Sequence, residues 1–110
     1  LSVGALGSEF NCDPTDIISG EMIVGSSTKV AIEEGQAVIL SKAVVPNAKY
    51  EIAQTLVKKE DTFANTYEAR AKSGTNTSFT QVSEDTWALS YVGLDYQGKP
   101  SASVHLCKQI

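Results

Sequence analysis

From Thr28 to Leu106 the chain repeats one local pattern, in which short runs of alternating apolar and polar side chains end at glycine, asparagine, proline or paired acids. Alternation with period two marks a strand with one buried face. Turn residues recurring roughly every 8 to 12 positions leave little room for crossover helices. The expected class is therefore mainly β, an antiparallel β-sandwich or small barrel.

Thr28, Val30 and Ile32 alternate with Lys29, Ala31 and Glu33, and Glu34-Gly35-Gln36 then turns the chain. Met22-Ile23-Val24, ending at Gly25-Ser26-Ser27, reads as another short strand. Ala37-Val38-Ile39-Leu40 and Ala43-Val44-Val45 are unbroken apolar runs separated by Ser41-Lys42. Such runs suit a strand covered on both faces or one crossing between two sheets. Over 62–73, Phe63, Tyr67, Ala69 and Ala71 fall on one face, and Thr66, Glu68, Arg70 and Lys72 on the other. Trp87, Leu89 and Tyr91 share a face. Gln97-Gly98-Lys99-Pro100 makes the last hairpin, after which Ala102, Val104 and Leu106 are expected to face inward.

Two segments depart from the pattern. In Asp13-Pro14-Thr15-Asp16, Asp13 suits a helix cap, Pro14 the first helical position and Asp16 the first turn, so a short N-terminal helical turn is expected over 14–19. The segment 47–59 reads two ways. As a strand it groups Tyr50, Ile52 and Leu56; as a helix it groups Ile52, Ala53, Leu56 and Val57, with Asn47 as cap and Lys58-Lys59 at its C-terminal end. The strand-like flanks favour a strand, and the helix would make the class α+β.

Cys12 and Cys107 are the chain's 2 cysteines and stand near its two ends. A bridge between them closes a loop of nearly the whole chain, worth about 4 to 5 kcal/mol in the chain-entropy account. Its expected compartment is extracytoplasmic: secreted, periplasmic or surface-displayed. Zinc and Cys/His nucleophile readings of these residues with His105 lack ligands and bases, because neither CxxC nor HExxH occurs and there is 1 histidine.

A length of 110 residues with 42% hydrophobic composition suits one domain with a real core. No apolar stretch approaches the roughly 18 residues needed to span a bilayer, so no membrane insertion is expected. With 9 Lys+Arg against 13 Asp+Glu, and no basic run beyond Lys58-Lys59, nothing favours nucleic acid. Residues 1–10 read as a flexible start or as a remnant of two adjacent cloning sites at Gly7-Ser8-Glu9-Phe10, and 11–110 as a single β-rich domain.

The chemical motifs are thin. Ser26-Ser27-Thr28-Lys29 matches S-x-x-K without its companion S-D-N and K-T-G elements, and no G-x-S-x-G occurs. Glu33-Glu34, Glu60-Asp61 and Glu84-Asp85 are acidic pairs at turns, the raw material of a carboxylate hydrolase or a weak calcium site. Asn76-Thr77-Ser78 is a glycan acceptor tripeptide. No residue set reads as catalytic, metal-binding or cofactor-binding.

The leading functional expectation is an exported, non-enzymatic module that binds another protein through a sheet edge or a hairpin surface. Its candidate contacts are Tyr96 on the C-terminal hairpin and Glu68, Arg70 and Lys72 on the polar face of 62–73, which reads as an edge strand. Alternatives are a carrier of a small apolar ligand, with Ile39, Trp87 and Tyr91 lining a barrel, and a small hydrolase using the turn carboxylates.

Overall fold

The computed structural model describes residues 8–15, 28–42, 50–94 and 97–110. Eight strands, β1 (Ser8–Pro14), β2 (Thr28–Glu33), β3 (Gln36–Lys42), β4 (Tyr50–Lys59), β5 (Thr66–Arg70), β6 (Asn76–Gln81), β7 (Thr86–Leu94) and β8 (Pro100–Gln109), pair in chain order. Every pairing is antiparallel, and β1 also pairs with β8, which closes the sheet into a barrel. Of the two expected β architectures the chain adopts the barrel. The β2–β3, β4–β5 and β6–β7 connections lie at one end, here the lower, and the β5–β6 turn at the other, the upper end.

Local chemistry sets the strand ends. Glu34 (φ 31°) and Gly35 (φ 78°) both turn left-handed between paired Glu33 and Gln36, the two-residue hairpin turn whose twist matches its strands. In β3, Ala37 and Ile39 face the interior while Val38 and Leu40 join Ala31 in a second buried cluster on the outer side. The unbroken apolar run thus serves a strand covered on both faces. The segment 50–59 is strand β4, which removes the helical alternative there; 47–49, Met22-Ile23-Val24 and Ala43-Val44-Val45 lie outside the described residues.

Two expectations are corrected, and β1 reaches into the first ten residues. The helical turn at 14–19 is not seen: Pro14 ends β1 opposite His105, and the Thr15 amide donates to the Val104 carbonyl at 3.0 Å. Cross-strand bonding claims the backbone there; 16–19 lie outside the described residues. The domain also takes in Ser8–Phe10, since β1 starts at Ser8 and the Phe10 ring is buried. Finally, 62–73 is not one strand. Only Thr66–Arg70 is β5, with Tyr67 and Ala69 packed on the core as alternation requires; Phe63 stands in the β4–β5 connection, fully exposed.

The core occupies the lower part of the barrel. The Phe79 and Trp87 rings stack at 4.7 Å and 14°, Phe10 meets Phe79 edge-on at 5.3 Å, and Tyr67 lies 6.2 Å from Trp87. An eight-stranded barrel is just wide enough for side chains to fill, and these rings fill it. Cys12 and Cys107 are directly opposed on β1 and β8, fully buried and bridged, 95 residues apart in sequence. The disulfide is therefore a covalent stitch across the seam where the first strand meets the last.

Candidate functional site

The hairpin of β7 and β8 contributes to both the interior and the exterior of the barrel. Its direct cross-strand pairs alternate between the two faces, because opposed residues share a face and successive residues do not. Cys107 is held inward by its bridge, so Trp87↔Cys107, Leu89↔His105, Tyr91↔Ser103 and Gly93↔Ser101 are interior pairs. The pairs between them, Ala88↔Leu106, Ser90↔Val104, Val92↔Ala102 and Leu94↔Pro100, face out.

This parity overturns the expected inner row of β8. Ala102, Val104 and Leu106 lie on the outside, and the inner row is Ser101, Ser103, His105 and Cys107. Alternation alone allowed either row to be internal; the bridge to Cys12 decides it. The consequence is an outward ribbon of small and branched apolar side chains, in which Val92 is 57% and Leu94 56% exposed. It is flanked on β6 by Asn76, Ser78 and Thr80, with Ser78 Oγ 3.0 Å from Ser90 Oγ, and on β1 by Asp13, opposite Leu106.

Inside the upper mouth the same hairpin lines a cavity of about 200 Å3 with Thr75, Tyr91, Gly93, Leu94, Ser101 and Ser103. Gly93 is required by close approach. A Cβ there would lie 2.7 Å from the Thr75 Cα, so no side chain fits between β7 and the β5–β6 turn. His105 sits one inward step below Ser103, its ring edge-on to Tyr91 at 5.8 Å. Among the described residues its Nδ1 is the buried side-chain polar atom without a hydrogen-bond partner. Burial holds the imidazole pKa below its ordinary value, with Asp13 pulling weakly the other way, and burial raises that of the Tyr91 phenol.

The acidic pairs gather at the lower end, on the β2–β3, β4–β5 and β6–β7 connections. Asp85 accepts from Thr86 Oγ1 at 3.1 Å and Ser83 Oγ at 3.3 Å, with Lys108 Nζ 3.9 Å away. The Thr86 hydroxyl first, then Lys108 and Ser83, lower its pKa. That favours the charged form, the opposite of what a proton-donating carboxylic acid needs. Among the described residues no three His, Cys, Asp or Glu side chains gather as metal ligands.

The sequence-derived candidates scatter. Ile39 and Trp87 are packed in the core and Tyr91 forms cavity wall, so the three do not line one space. Glu68 and Arg70 are on β5 and Lys72 in the turn after it. β5 is not an edge, since it pairs with β6 along its length and with β4 through Thr66, Tyr67 and Glu68. Tyr96 lies outside the described residues. Sequence reasoning missed Thr75, Gly93, Ser101 and Ser103, and the outward ribbon; the parity of Cys107 along β8 was the signal that finds both. No protein-family model, curated protein or solved structure matches the chain.

Proposed function

We propose that the chain is an exported, non-enzymatic recognition module that binds another protein through the outer face of the β7–β8 hairpin. The observation that carries this reading is the outward ribbon Ala88, Val92, Leu94, Pro100, Ala102, Val104 and Leu106, half-exposed or more at Val92 and Leu94. Contiguous apolar surface on a soluble domain marks an interaction site, because leaving it in water forfeits about 25 cal/mol per Å2. The flanking strips give the partner its chemistry. Neutral hydroxyl and amide groups border the ribbon on β6, while Asp13 on β1 stands beside Leu106 and Lys108 continues the outer row of β8 below it, so the complementary surface is apolar with a largely neutral polar margin.

The buried Cys12–Cys107 bridge supports an extracytoplasmic setting, where disulfides persist. Glu9, Asn11 and Asp13 on the outer side of β1, and Glu68 and Arg70 on that of β5, are charges and amides that lipid would not accept, which supports a partner other than a membrane. Closure of the barrel favours a face over an edge, since each strand already has two neighbours.

The test is comparative capture from the native extract. Val92→Glu with Ala102→Glu changes the ribbon without touching the interior, and should lower recovery of the partner at least about tenfold. Replacing Glu33, Glu60 and Glu84 by Gln should leave recovery unchanged. Equal recovery by the ribbon variant, with its disulfide and circular dichroism intact, overturns the proposal; so does failure of the unaltered protein to bind any partner saturably.

A further inference from the structure

The upper mouth differs from the rest of the interior in kind. Its six lining residues offer hydroxyls from Thr75, Ser101, Ser103 and Tyr91, backbone at Gly93, and apolar surface from Leu94 and the Tyr91 ring. None carries a formal charge near neutral pH. A space of about 200 Å3 equals the share of about six or seven waters in liquid, which is the scale of one sugar ring.

We infer that this mouth is a binding site for a neutral polyhydroxylated ring, the size of one monosaccharide, gripped by Thr75, Tyr91, Ser101 and Ser103. Hydroxyls both donate and accept, so a row of them can satisfy ring hydroxyls in either sense. An ionised ligand would surrender hydration here without gaining an opposite charge, which selects against it. A sugar ring also presents a C–H face, for which the Tyr91 ring and Leu94 supply apolar surface in the lining. One inward step below Ser103, outside the lining itself, His105 Nδ1 is a buried polar atom without a hydrogen-bond partner, and burial favours its neutral imidazole. Gly93 serves the site, because any larger residue would push Thr75 off the mouth. Leu94 at the rim touches both the mouth and the docking ribbon, but their other residues lie on different faces of the same two strands, so Ser103 and Val92 report on them separately.

Two-dimensional NMR of labelled protein tests this with glucose, galactose, mannose and N-acetylglucosamine, each beside its methyl glycoside, and with glucuronate and glucosamine as charged counterparts. At least one neutral sugar should shift the Thr75, Gly93, Ser101 and Ser103 amides saturably, with a Kd of about 1 to 10 mM. A methyl glycoside that binds as well as the free sugar identifies a glycan end as the ligand, and preference for the reducing sugar identifies the free monosaccharide; either supports the site. Ser103→Tyr, which fills the mouth, should weaken binding at least about tenfold, while Val92→Glu should not change it. The inference is overturned if no neutral sugar gives saturable shifts, if glucuronate or glucosamine binds as tightly, or if Ser103→Tyr binds equally well.

Discussion

The inner and outer faces of one hairpin obey different rules. Inside, the β7–β8 pairs change character along the barrel, from Trp87↔Cys107 through Leu89↔His105 to Tyr91↔Ser103 and Gly93↔Ser101. The lower pairs are wedged against Phe10 and Phe79, and the upper ones border space. Outside, the pairs are apolar from Ala88↔Leu106 to Leu94↔Pro100 except at Ser90↔Val104, where Ser90 meets Ser78 of β6. Among the described residues the interior gradient runs from a packed lower end to a lined space near the upper end, whereas the outer apolar side chains of β7 and β8 take no part in the core. The difference locates stability in the lower interior and recognition on the surfaces that stability does not need.

Breaking the comparison at its strongest point means removing a ring. Trp87→Ala should destabilise the domain by about 3 to 5 kcal/mol, since it leaves a cavity beside stacked Phe79. Val92→Ala, five residues along the same strand on the outer face, should stay within about 0.5 kcal/mol. Urea denaturation monitored at the Trp87-independent far-ultraviolet signal measures both, and similar costs would abolish the distinction between the two faces.

The seam comes next in size. Reducing Cys12–Cys107 should cost about 2 to 4 kcal/mol, as it frees a loop spanning 95 positions and relaxes the pairing of β1 with β8. Matched unfolding curves with and without reductant read the difference. Hydrogen exchange should then speed first in β1 and β8 rather than in β5 and β6; uniform acceleration would show that the stitch acts on the whole sheet alike.

The smallest effect lies at the boundary between the packed and open halves. His105 has a pKa lowered by burial, so the folded state takes up its proton later than the unfolded chain, whose value is near 6.5. The resulting stability is present above about pH 6.5 and is lost as pH falls through the lower folded value. NMR titration of the imidazole should give a midpoint below 6.5, and His105→Gln should flatten the acid slope of stability in that window. A midpoint above 6.5 would mean that Asp13, not burial, governs the ring.

Much of the architecture was legible because it is local. The Glu34-Gly35 turn, the doubly covered Ala37–Leu40 run and the inward Trp87, Leu89 and Tyr91 follow from turn chemistry and period-two alternation. The misjudged elements are those in which a local signal met a non-local one. Asp13-Pro14 carries good helix-start residues, yet the neighbouring backbone is bonded to β8. Phe63 keeps the phase of Tyr67, but it stands in the connection, with Ala64 and Asn65 between it and the strand that phase describes. β8 held two defensible inner rows, Ala102-Val104-Leu106 and Ser101-Ser103-His105-Cys107, and hydrophobicity chose the wrong one.

The sequence by itself determined that the chain would be antiparallel β, where most of its strands would turn, and which two residues would cross-link its ends, because these depend on φ/ψ preference, alternation and the count of cysteines. Only the tertiary structure decided that the sheet closes as a barrel, which face of β8 is inside, and hence where the cavity and the apolar ribbon lie. Closure is a pairing between β1 and β8 across nearly the whole chain, and a one-residue change of register along either would exchange every inside for an outside.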